Sequence, residues 1–595
     1  MKNFWSSFLA CLLAIVVGGF VFSMMMFSML GAMMAAFSSE ETAYVDYNSV
    51  LKIDLSENIM DNPPVNLLGT IDPLTMQVTR STSLLSVLNA IEQAADDERI
   101  EGIYLNITSP SVGMGMMEEI RTALARFKEK SGKFILSYSN YYTQGAYYLS
   151  SVADKVYVNP EGAVEWKGMA STLMFFKGTL DKLGIKPEVY RVGEFKSAVE
   201  PFILDRMSAE NRRQYEVLLN SIWDNIVSDI AKARRLDSAV LQGHASTLAV
   251  TNPQRAVELG LIDGVKYADE VLAEMNEKVF YDAEENVEFV TLTEYISAPG
   301  GGSSRRLSKN EVALVYAEGD IVDGGAEEGA IGGDDLAQRL AAVRQDDNVK
   351  AVVLRINSGG GSALASEVIW REMTLLQKEK PIVVSMGDYA ASGGYYIACP
   401  ADAIVADKYT LTGSIGVFGL MFKLEDAFRN KLGITTDVVK TNPSGDVGNA
   451  FRETTPAERM YIQNSVEDVY RTFVGHVAEG RNLSRERVLD IAGGRVWSGL
   501  SAQEIGLVDG HGGLKDAIAL AADRAGISDD FRVTTPMDEL DQLQQLLNSF
   551  FTARIKSTRG MSLAERELIN EYRSLTRILE QEGVQARMPY KLQIQ

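Results

Sequence analysis

The sequence predicts an α/β protein made of two tandem copies of one parallel-sheet unit, preceded by one transmembrane helix and followed by a helical tail. Three observations support this fold class. Four short stretches recur in the same order, between 246 and 249 positions later. Strand-like apolar runs alternate with amphipathic helix-like runs in both copies. A Gly/Ser-rich stretch, whose composition is typical of a linker, separates the copies.

The recurring stretches pair residues of similar type at matched positions, which indicates a duplication. They are Ile103-Tyr-Leu-Asn-Ile-Thr-Ser109 with Val352-Val-Leu-Arg-Ile-Asn-Ser358, Gln144-Gly-Ala-Tyr-Tyr with Ser392-Gly-Gly-Tyr-Tyr, Lys182-Leu-Gly-Ile with Lys431-Leu-Gly-Ile, and Glu258-Leu-Gly-Leu-Ile-Asp-Gly with Glu504-Ile-Gly-Leu-Val-Asp-Gly.

Each copy follows one order of elements. An amphipathic stretch (84–95; 336–344) precedes an apolar strand (103–107; 351–356). A turn and a helix follow, then a second strand (134–138; 382–385), a second turn and a further helix. Such βαβ patterns predict parallel strands joined by right-handed crossovers.

These signals divide the chain into five segments. We predict a transmembrane anchor over 1–39, the first unit over 40–296, a linker over 297–308, the second unit over 309–534 and a helical tail over 535–595.

The apolar amino-terminal segment predicts a membrane anchor. No charged residue occurs from Phe4 to Phe37, and about 20 apolar residues suffice to cross a bilayer. Met34 lies where a cleavable signal peptide prefers a small residue, so an uncleaved anchor is favoured over a cleaved signal. Lys2 precedes the segment while Glu40 and Glu41 follow it, which predicts a body on the outer side of the membrane.

Composition excludes several function classes. The formal net charge is −22 and no basic block occurs, which argues against nucleic-acid binding. Two cysteines cannot form a disulfide framework. His244, His476 and His511 lack the spacing of a zinc site, and we expect no metal and no cofactor.

The two copies differ at the turn where a strand enters a helix. The first copy has Gln144 there and the second has Ser392, followed by Gly393 and Gly394. A serine at such a turn is a candidate nucleophile, and the Gly393 N–H can stabilise an adjacent oxyanion. The second copy also carries three successive glycines, 359–361, after its preceding strand. Together the two turns predict the two-donor oxyanion hole that acyl transfer needs.

A serine nucleophile needs a base, and the copies differ there too. After Lys182-Leu-Gly-Ile the first copy continues to Lys196, whereas the second copy has no lysine at that place. Phe195, Val199 and Phe202 surround Lys196 in sequence. Apolar surroundings disfavour an ammonium, so we expect a lowered pKa at Lys196.

These residues resemble a known family. Gly193-Glu-Phe-Lys196-Ser-Ala-Val-Glu-Pro-Phe202, Ala391-Ser392-Gly-Gly-Tyr-Tyr396 and Thr412-Gly-Ser-Ile-Gly-Val417 are similar to signal peptide peptidase A in its long, duplicated form. The resemblance implies a fold shared with Clp proteases and crotonases. It also implies a bacterial inner-membrane serine protease with its body on the periplasmic side, a homotetrameric assembly, and signal peptides and unfolded peptides as substrates.

By motif match, the resemblance implies Ser392 as nucleophile, Lys196 as general base, and the backbone N–H groups of Gly360 and Gly393 as oxyanion donors. One departure is that Gly359 stands where the family motif Asn-Ser-Pro-Gly-Gly has proline. The choice between Gly360 and Gly361 as donor stays open for that reason. Two alternative functions also stay open: a crotonase-like acyl-CoA enzyme, and a scaffold that has lost activity.

Overall fold

The computed structural model describes residues 24–25, 44–55, 58–63, 81–280, 286–299, 308–325, 329–536 and 585–588. The predicted anchor lies outside the described residues except for Met24 and Met25, and so does most of the predicted helical tail. No helix in the described part of the chain is both long enough and apolar enough to span a membrane. The predicted segment boundaries stay predictions.

The first unit has nine strands and ten α-helices among its described residues. The strands are β1 (Ser49–Ile53), β2 (Asn58–Met60), β3 (Ser81–Ser83), β4 (Ile100–Leu105), β5 (Phe134–Tyr142), β6 (Lys155–Val164), β7 (Lys186–Val192), β8 (Gly264–Val265) and β9 (Glu288–Thr291). The helices are α1 (Leu84–Asp96), α2 (Met114–Ser131), α3 (Gln144–Ser150), α4 (Lys177–Leu183), α5 (Glu200–Ile203), α6 (Ala209–Arg234), α7 (Ser238–Ser246), α8 (Pro253–Glu258), α9 (Ala268–Val279) and α10 (Leu292–Ser297). A 3-10 turn at Ser197–Val199 precedes α5.

The second unit has twelve strands and seven α-helices among its described residues. Its strands are β10 (Glu311–Glu318), β11 (Asp320–Val322), β12 (Ala330–Gly332), β13 (Val349–Ser358), β14 (Gly360–Ser362), β15 (Ile382–Ala391), β16 (Ala403–Ala406), β17 (Leu411–Gly413), β18 (Val417–Lys423), β19 (Val496–Ser498), β20 (Gly510–His511) and β21 (Arg532–Thr534). Its helices are α11 (Gly333–Gln345), α12 (Ala363–Gln377), α13 (Gly393–Ala398), α14 (Pro456–Gly480), α15 (Arg485–Ile491), α16 (Gly499–Glu504) and α17 (Leu514–Arg524), with a π-helical turn at Ala427–Leu432.

Each unit has a parallel sheet in its centre. The first sheet has the order β8-β6-β5-β4-β1-β9, and every pair in it is parallel. The second has the order β19-β17-β15-β13-β10-β21, in which β16 also pairs with β15, β20 pairs with β16, and only β19 is antiparallel. The α/β class with parallel strands in two copies is confirmed.

A third sheet joins the two units, which the sequence pattern did not predict. Its order is β12-β11-β14-β22-β18-β7, where β22 is Gln585–Arg587. Strand β7 leaves the first unit and pairs antiparallel with β18 of the second. The prediction of a helical tail is wrong for residues 585–587, because they complete this sheet as a strand.

Candidate active site

Two buried side chains from different units meet at the carboxyl-terminal end of strand β15, in the second parallel sheet. Lys196 Nζ lies 2.7 Å from Ser392 Oγ, and both residues are fully buried. Lys196 follows β7 of the first unit, and Ser392 follows β15 of the second. One chain therefore brings together the lysine and the serine that the comparison of the two copies singled out.

The crossing of β7 into the second unit positions the lysine. Seven residue pairs join β7 to β18, from Lys186–Lys423 to Val192–Val417. Beyond the strand, the Phe195 N–H donates to the Gly493 carbonyl at 2.9 Å. A methyl group on Gly494 would lie 2.7 Å from Lys196 Cβ, so the lysine backbone can approach only a glycine there.

A buried polar cluster fixes the chain immediately after the lysine. The Ser197 hydroxyl donates to Asn211 Oδ1 at 2.9 Å, and Asn211 Nδ2 donates to Glu200 Oε2 at 2.9 Å. Glu200 also accepts from the Ser208 hydroxyl at 2.6 Å. The loop that carries Lys196 is thereby tied to the first turn of α6, which limits how far the amine can move.

Burial favours the neutral form of the lysine. The low-dielectric surroundings lower the pKa of Lys196 well below its ordinary value, and desolvation is the cause. The lowered pKa expected from the apolar neighbours is confirmed in direction. A neutral amine has a lone pair and can accept a proton, which an ammonium cannot.

Ser414 is a further polar contact of the amine, which sequence reasoning did not select. Lys196 Nζ donates to the Ser414 carbonyl and lies at the same distance, 3.2 Å, from the Ser414 hydroxyl oxygen. That hydroxyl donates to the Gly494 carbonyl at 3.3 Å, so its oxygen acts as an acceptor toward the amine. In the neutral form of Lys196, donation of its two N–H groups to Ser414 leaves the lone pair for the contact with Ser392. The motif Thr412-Gly-Ser-Ile contained this serine, but nothing in the motif showed its tertiary contact.

The backbone of Ser392 has an unusual conformation. Its φ is +57° and its ψ is −112°, and Ser392 is the N-cap residue of α13. The Ser392 N–H donates to the Gly413 carbonyl at 2.8 Å, and the Tyr396 N–H donates to the Ser392 carbonyl at 2.8 Å. A non-glycine residue at such angles is held by its surroundings, and such strain is common at catalytic residues.

The two glycines proposed as oxyanion donors lie side by side. A methyl group on Gly360, whose φ is +97°, would lie 2.6 Å from the Gly393 nitrogen. By contrast, a methyl group on Gly361 would face the Ile321 backbone in β11 at 2.0 Å. Gly360 is thus the glycine that adjoins Gly393. Its N–H donates to the Ser358 hydroxyl at 3.1 Å.

The described end of the tail occupies the groove next to these glycines. Strand β22 lies antiparallel to β14 on one side and contacts β18 on the other. The Ala586 carbonyl oxygen lies 2.2 Å from a methyl group built on Gly360 and 2.9 Å from one built on Gly393. An ion pair of 3.0 Å between Arg587 and Asp320 holds the segment. A short extended peptide therefore fits between β14 and β18 beside Ser392.

The corresponding turn of the first unit holds no such pair. Gln144 stands in the place of Ser392, and its amide oxygen accepts from the N–H groups of Lys167 and Gly168 at 2.8 and 2.9 Å. Its amide nitrogen donates to the Gly168 carbonyl at 2.9 Å. The glutamine thus fills the position that corresponds to Ser392 with a structural contact. Across the described residues, no group of three or more His, Cys, Asp or Glu side chains could hold a metal ion.

Comparison with known proteins identifies the family of this chain. The family description "Peptidase family S49" matches residues 126–281 and 374–528, one match in each unit. The chain belongs to peptidase family S49. It is 34% identical to "Protease 4" of Salmonella typhi over 86% of this chain and 83% of that protein. This S49 peptidase is also 33% identical to "Serine protease SPPA, chloroplastic" of Arabidopsis thaliana, over 87% of this chain and 76% of the relative.

A third relative, "Protease 4" of Haemophilus influenzae, is 35% identical over 74% of this chain and 73% of its own length. The S49 peptidase is accordingly a serine protease with two family repeats. Among solved structures, a ClpP1 mutant from Listeria monocytogenes covers 35% of this chain and 95% of its own, with 15% identity and a TM-score of 0.24. That score is too low to bear on the fold, so the likeness to Clp proteases and crotonases stays a prediction.

Proposed function

We propose that this S49 peptidase is a membrane-anchored endopeptidase in which Ser392 is the nucleophile and Lys196 the general base. The observation that carries the proposal is the 2.7 Å distance between Lys196 Nζ and Ser392 Oγ in a fully buried site. A serine hydroxyl is a weak nucleophile until a base within hydrogen-bond reach takes its proton. Lys196 meets both requirements, since burial lowers its pKa and Ser414 orients its amine.

The reaction then follows in two halves. Neutral Lys196 takes the hydroxyl proton as Ser392 Oγ attacks the peptide carbonyl carbon, and a tetrahedral oxyanion forms. The carbon–nitrogen bond breaks as the Lys196 ammonium gives its proton to the leaving amine, which leaves an acyl group on Ser392. A water molecule then loses a proton to Lys196 and attacks the ester, and the proton returns to Ser392 Oγ.

The backbone N–H groups of Gly360 and Gly393 are the proposed oxyanion donors. Gly393 begins α13, where the partial positive charge of the helix end also favours an anion. Gly360 adjoins the Gly393 nitrogen, which supports Gly360 over Gly361. Loss of one such donor costs about 10²–10³-fold in rate in comparable enzymes.

The proposed substrates are cleaved signal peptides and other unfolded apolar peptides. The pairing of β22 with β14 supports an extended peptide as ligand, because a strand that adds to a sheet edge is held by main-chain hydrogen bonds. The apolar segment 4–37 supports an anchor in the bacterial inner membrane with the body on the periplasmic side. The assembly proposed with it is a homotetramer, as the family resemblance implies.

Cleavage of a labelled, apolar, signal-like peptide by the full-length chain in detergent tests this function. We expect the wild type and Ser109→Ala to cleave, because Ser109 is the exposed serine at the matching strand end of the first unit. Ser392→Ala should lose cleavage while its circular dichroism stays that of the wild type. Equal cleavage by Ser392→Ala would exclude Ser392 as nucleophile, and no cleavage by any variant would favour the scaffold.

A further inference from the structure

An ion pair crosses the peptide groove beside Ser392. Arg587 of the tail strand β22 donates from Nη2 to Asp320 Oδ2 at 3.0 Å. The two side chains are only 13% and 10% exposed, so little solvent screens the contact. Asp320 is the first residue of β11 and belongs to the second unit, not to the tail. The groove therefore has a buried carboxylate of its own.

Strand β14 separates these two charged residues and leaves space for their contact. Arg587 lies opposite Gly360 in the antiparallel pairing of β22 with β14. On the other edge of β14, Ile321 of β11 lies opposite Gly361. Because the two glycines have no side chains, a long side chain on β22 can cross β14 and reach the start of β11. Position 587 of the bound strand is thus one from which a side chain reaches Asp320.

The register places this cation directly after the residue that adjoins the two proposed oxyanion donors. The Ala586 carbonyl oxygen is the atom of β22 that faces Gly360 and Gly393. The Ala586 side chain is fully buried, and Met588, on the other side of Arg587, is buried in a hydrophobic cluster. The bound strand therefore presents a small residue, a cation and an apolar residue in succession.

A peptide that replaces the tail in the groove meets the same carboxylate. Main-chain hydrogen bonds hold an added strand, while the sites for its side chains select among sequences. A lysine or arginine at the place of Arg587 keeps an ion pair with Asp320. An uncharged residue gives up that ion pair. A glutamate or aspartate brings two carboxylates together where little water can solvate them, which disfavours binding.

We propose that Asp320 is a specificity-determining residue of the groove, which selects an arginine or lysine at the peptide position taken by Arg587. In the Ser392 reaction this position follows the bond that is cleaved, because the preceding carbonyl is the one beside Gly360 and Gly393. The preferred substrates are then extended apolar peptides in which a basic residue follows a small one. This inference deepens the proposed function, and its cleavage part rests on that function.

A simpler role for the ion pair would be to fasten the tail, with no preference among other peptides. A second carboxylate nearby favours selection instead. Asp323, the first residue after β11, accepts a hydrogen bond from the Ser362 hydroxyl of β14. Asp320 and Asp323 thus border the same stretch of β14. An acidic border favours a cationic peptide whatever its source.

Binding of labelled peptides to the full-length Ser392→Ala chain in detergent tests the selection apart from cleavage. Three peptides share one apolar sequence around Gln-Ala-X-Met, the order of residues 585–588, and carry Arg, Met or Glu at X. By fluorescence anisotropy, the Kd of the Arg peptide should be about 10-fold or more below that of the Glu peptide, as expected for a buried charge pair. The tail competes equally with all three peptides, so the ratio of their Kd values does not depend on it.

Substitutions of Asp320 show whether this carboxylate is responsible. In the Ser392→Ala chain, Asp320→Asn should remove most of the preference for Arg, and Asp320→Arg should invert it in favour of Glu. Asp347→Arg makes the same charge change at an exposed turn two residues before β13 and should keep the preference. Circular dichroism checks that each variant is folded. Equal Kd values for the three peptides, no binding of any of them, or a preference unchanged in Asp320→Asn would overturn the proposal.

Cleavage by the chain with Ser392 intact separates this inference from the proposed function. The ratio of kcat/KM for the Arg and Glu peptides should follow the ratio of their Kd values, including its inversion in Asp320→Arg. Selective binding without cleavage of any peptide would contradict the proposed function and uphold selection by Asp320. Cleavage of all three peptides with one kcat/KM would overturn the selection and leave the proposed function standing.

Discussion

Lys196 Nζ and Ser392 Oγ lie 2.7 Å apart, although one residue belongs to each copy of the duplicated unit. The duplication allows this division, because each copy supplies one of the two residues and the pairing of β7 with β18 joins the copies. The first copy keeps a lysine and holds Gln144 at the serine position, while the second keeps the serine. Both halves of the site travel in one chain through the crossing of β7 onto β18.

Ser414→Ala tests the orientation of the amine. This substitution removes the hydroxyl acceptor of Lys196 Nζ while the Ser414 carbonyl contact stays. We expect kcat to fall about 10–10²-fold with little change in KM, since positioning of a general base contributes within the range of acid–base catalysis. The midpoint of the pH profile of kcat/KM should shift as well. A rise in KM alone would assign Ser414 to substrate binding instead.

Lys196→Met tests the cost of burying the amine. The folded state lowers the pKa of Lys196, so the unfolded state binds the proton more tightly and stability rises with pH up to the ordinary lysine pKa, about 10.4. The methionine variant carries no such cost. At pH 7 it should therefore melt at a higher temperature than the wild type, and the gap should narrow toward pH 10. If calorimetry found the variant less stable than the wild type at pH 7, the hydrogen bonds of the amine would stabilise the fold by more than the burial of the amine costs.

Truncation of the chain after residue 584 tests the role of the tail strand. Removal of β22 exposes the edges of β14 and β18, so peptide substrates no longer compete with residues 585–588. We expect a lower KM for an apolar peptide with kcat little changed. Arg587→Glu, which reverses one charge of the ion pair with Asp320, should act in the same direction but more weakly. A higher KM after truncation would indicate that the tail builds part of the groove.

Glu318→Gln tests a buried carboxyl on β10. Burial, with the nearby Asp61 carboxylate, raises the pKa of Glu318 to about 7. The folded state thus binds this proton more tightly, so the wild type loses stability as pH rises from about 4.5 to 7. The glutamine variant should gain about 1–3 kcal/mol over the wild type at pH 8 relative to pH 4.5, by the linkage of pKa and stability. If the difference in unfolding free energy between the variant and the wild type were the same at pH 4.5 and at pH 8, this prediction would be contradicted.

The sequence predicted those parts of the fold that depend on local pattern and on the repeat. The strands predicted at 103–107 and 351–356 overlap β4 (Ile100–Leu105) and β13 (Val349–Ser358), because apolar β-rich runs between turns specify buried parallel strands. The asymmetry between Gln144 and Ser392 drew attention to the serine, and the apolar neighbours of Lys196 indicated its lowered pKa. Each of these signals is carried by adjacent residues or by matched positions.

Contacts between distant segments left no such signal. Strand β22 is three residues long and pairs with glycines more than two hundred positions earlier, so no periodicity marked it. The contact between Ser414 and Lys196 arises only after β7 crosses onto β18. The third sheet could not be predicted because its strands come from both units and from the tail, and no local pattern records such pairing.

Covalent labelling of the full-length chain with a serine-reactive fluorophosphonate measures the central claim most directly. The labelled residue is identified by mass spectrometry, and the labelling rate is followed from pH 5 to pH 10. We expect phosphonylation at Ser392, with a rate that rises as Lys196 loses its proton and that falls about 10³-fold or more in Lys196→Ala, given the costs of removing a catalytic base. Labelling at another serine, or a rate unchanged in Lys196→Ala, would contradict the account.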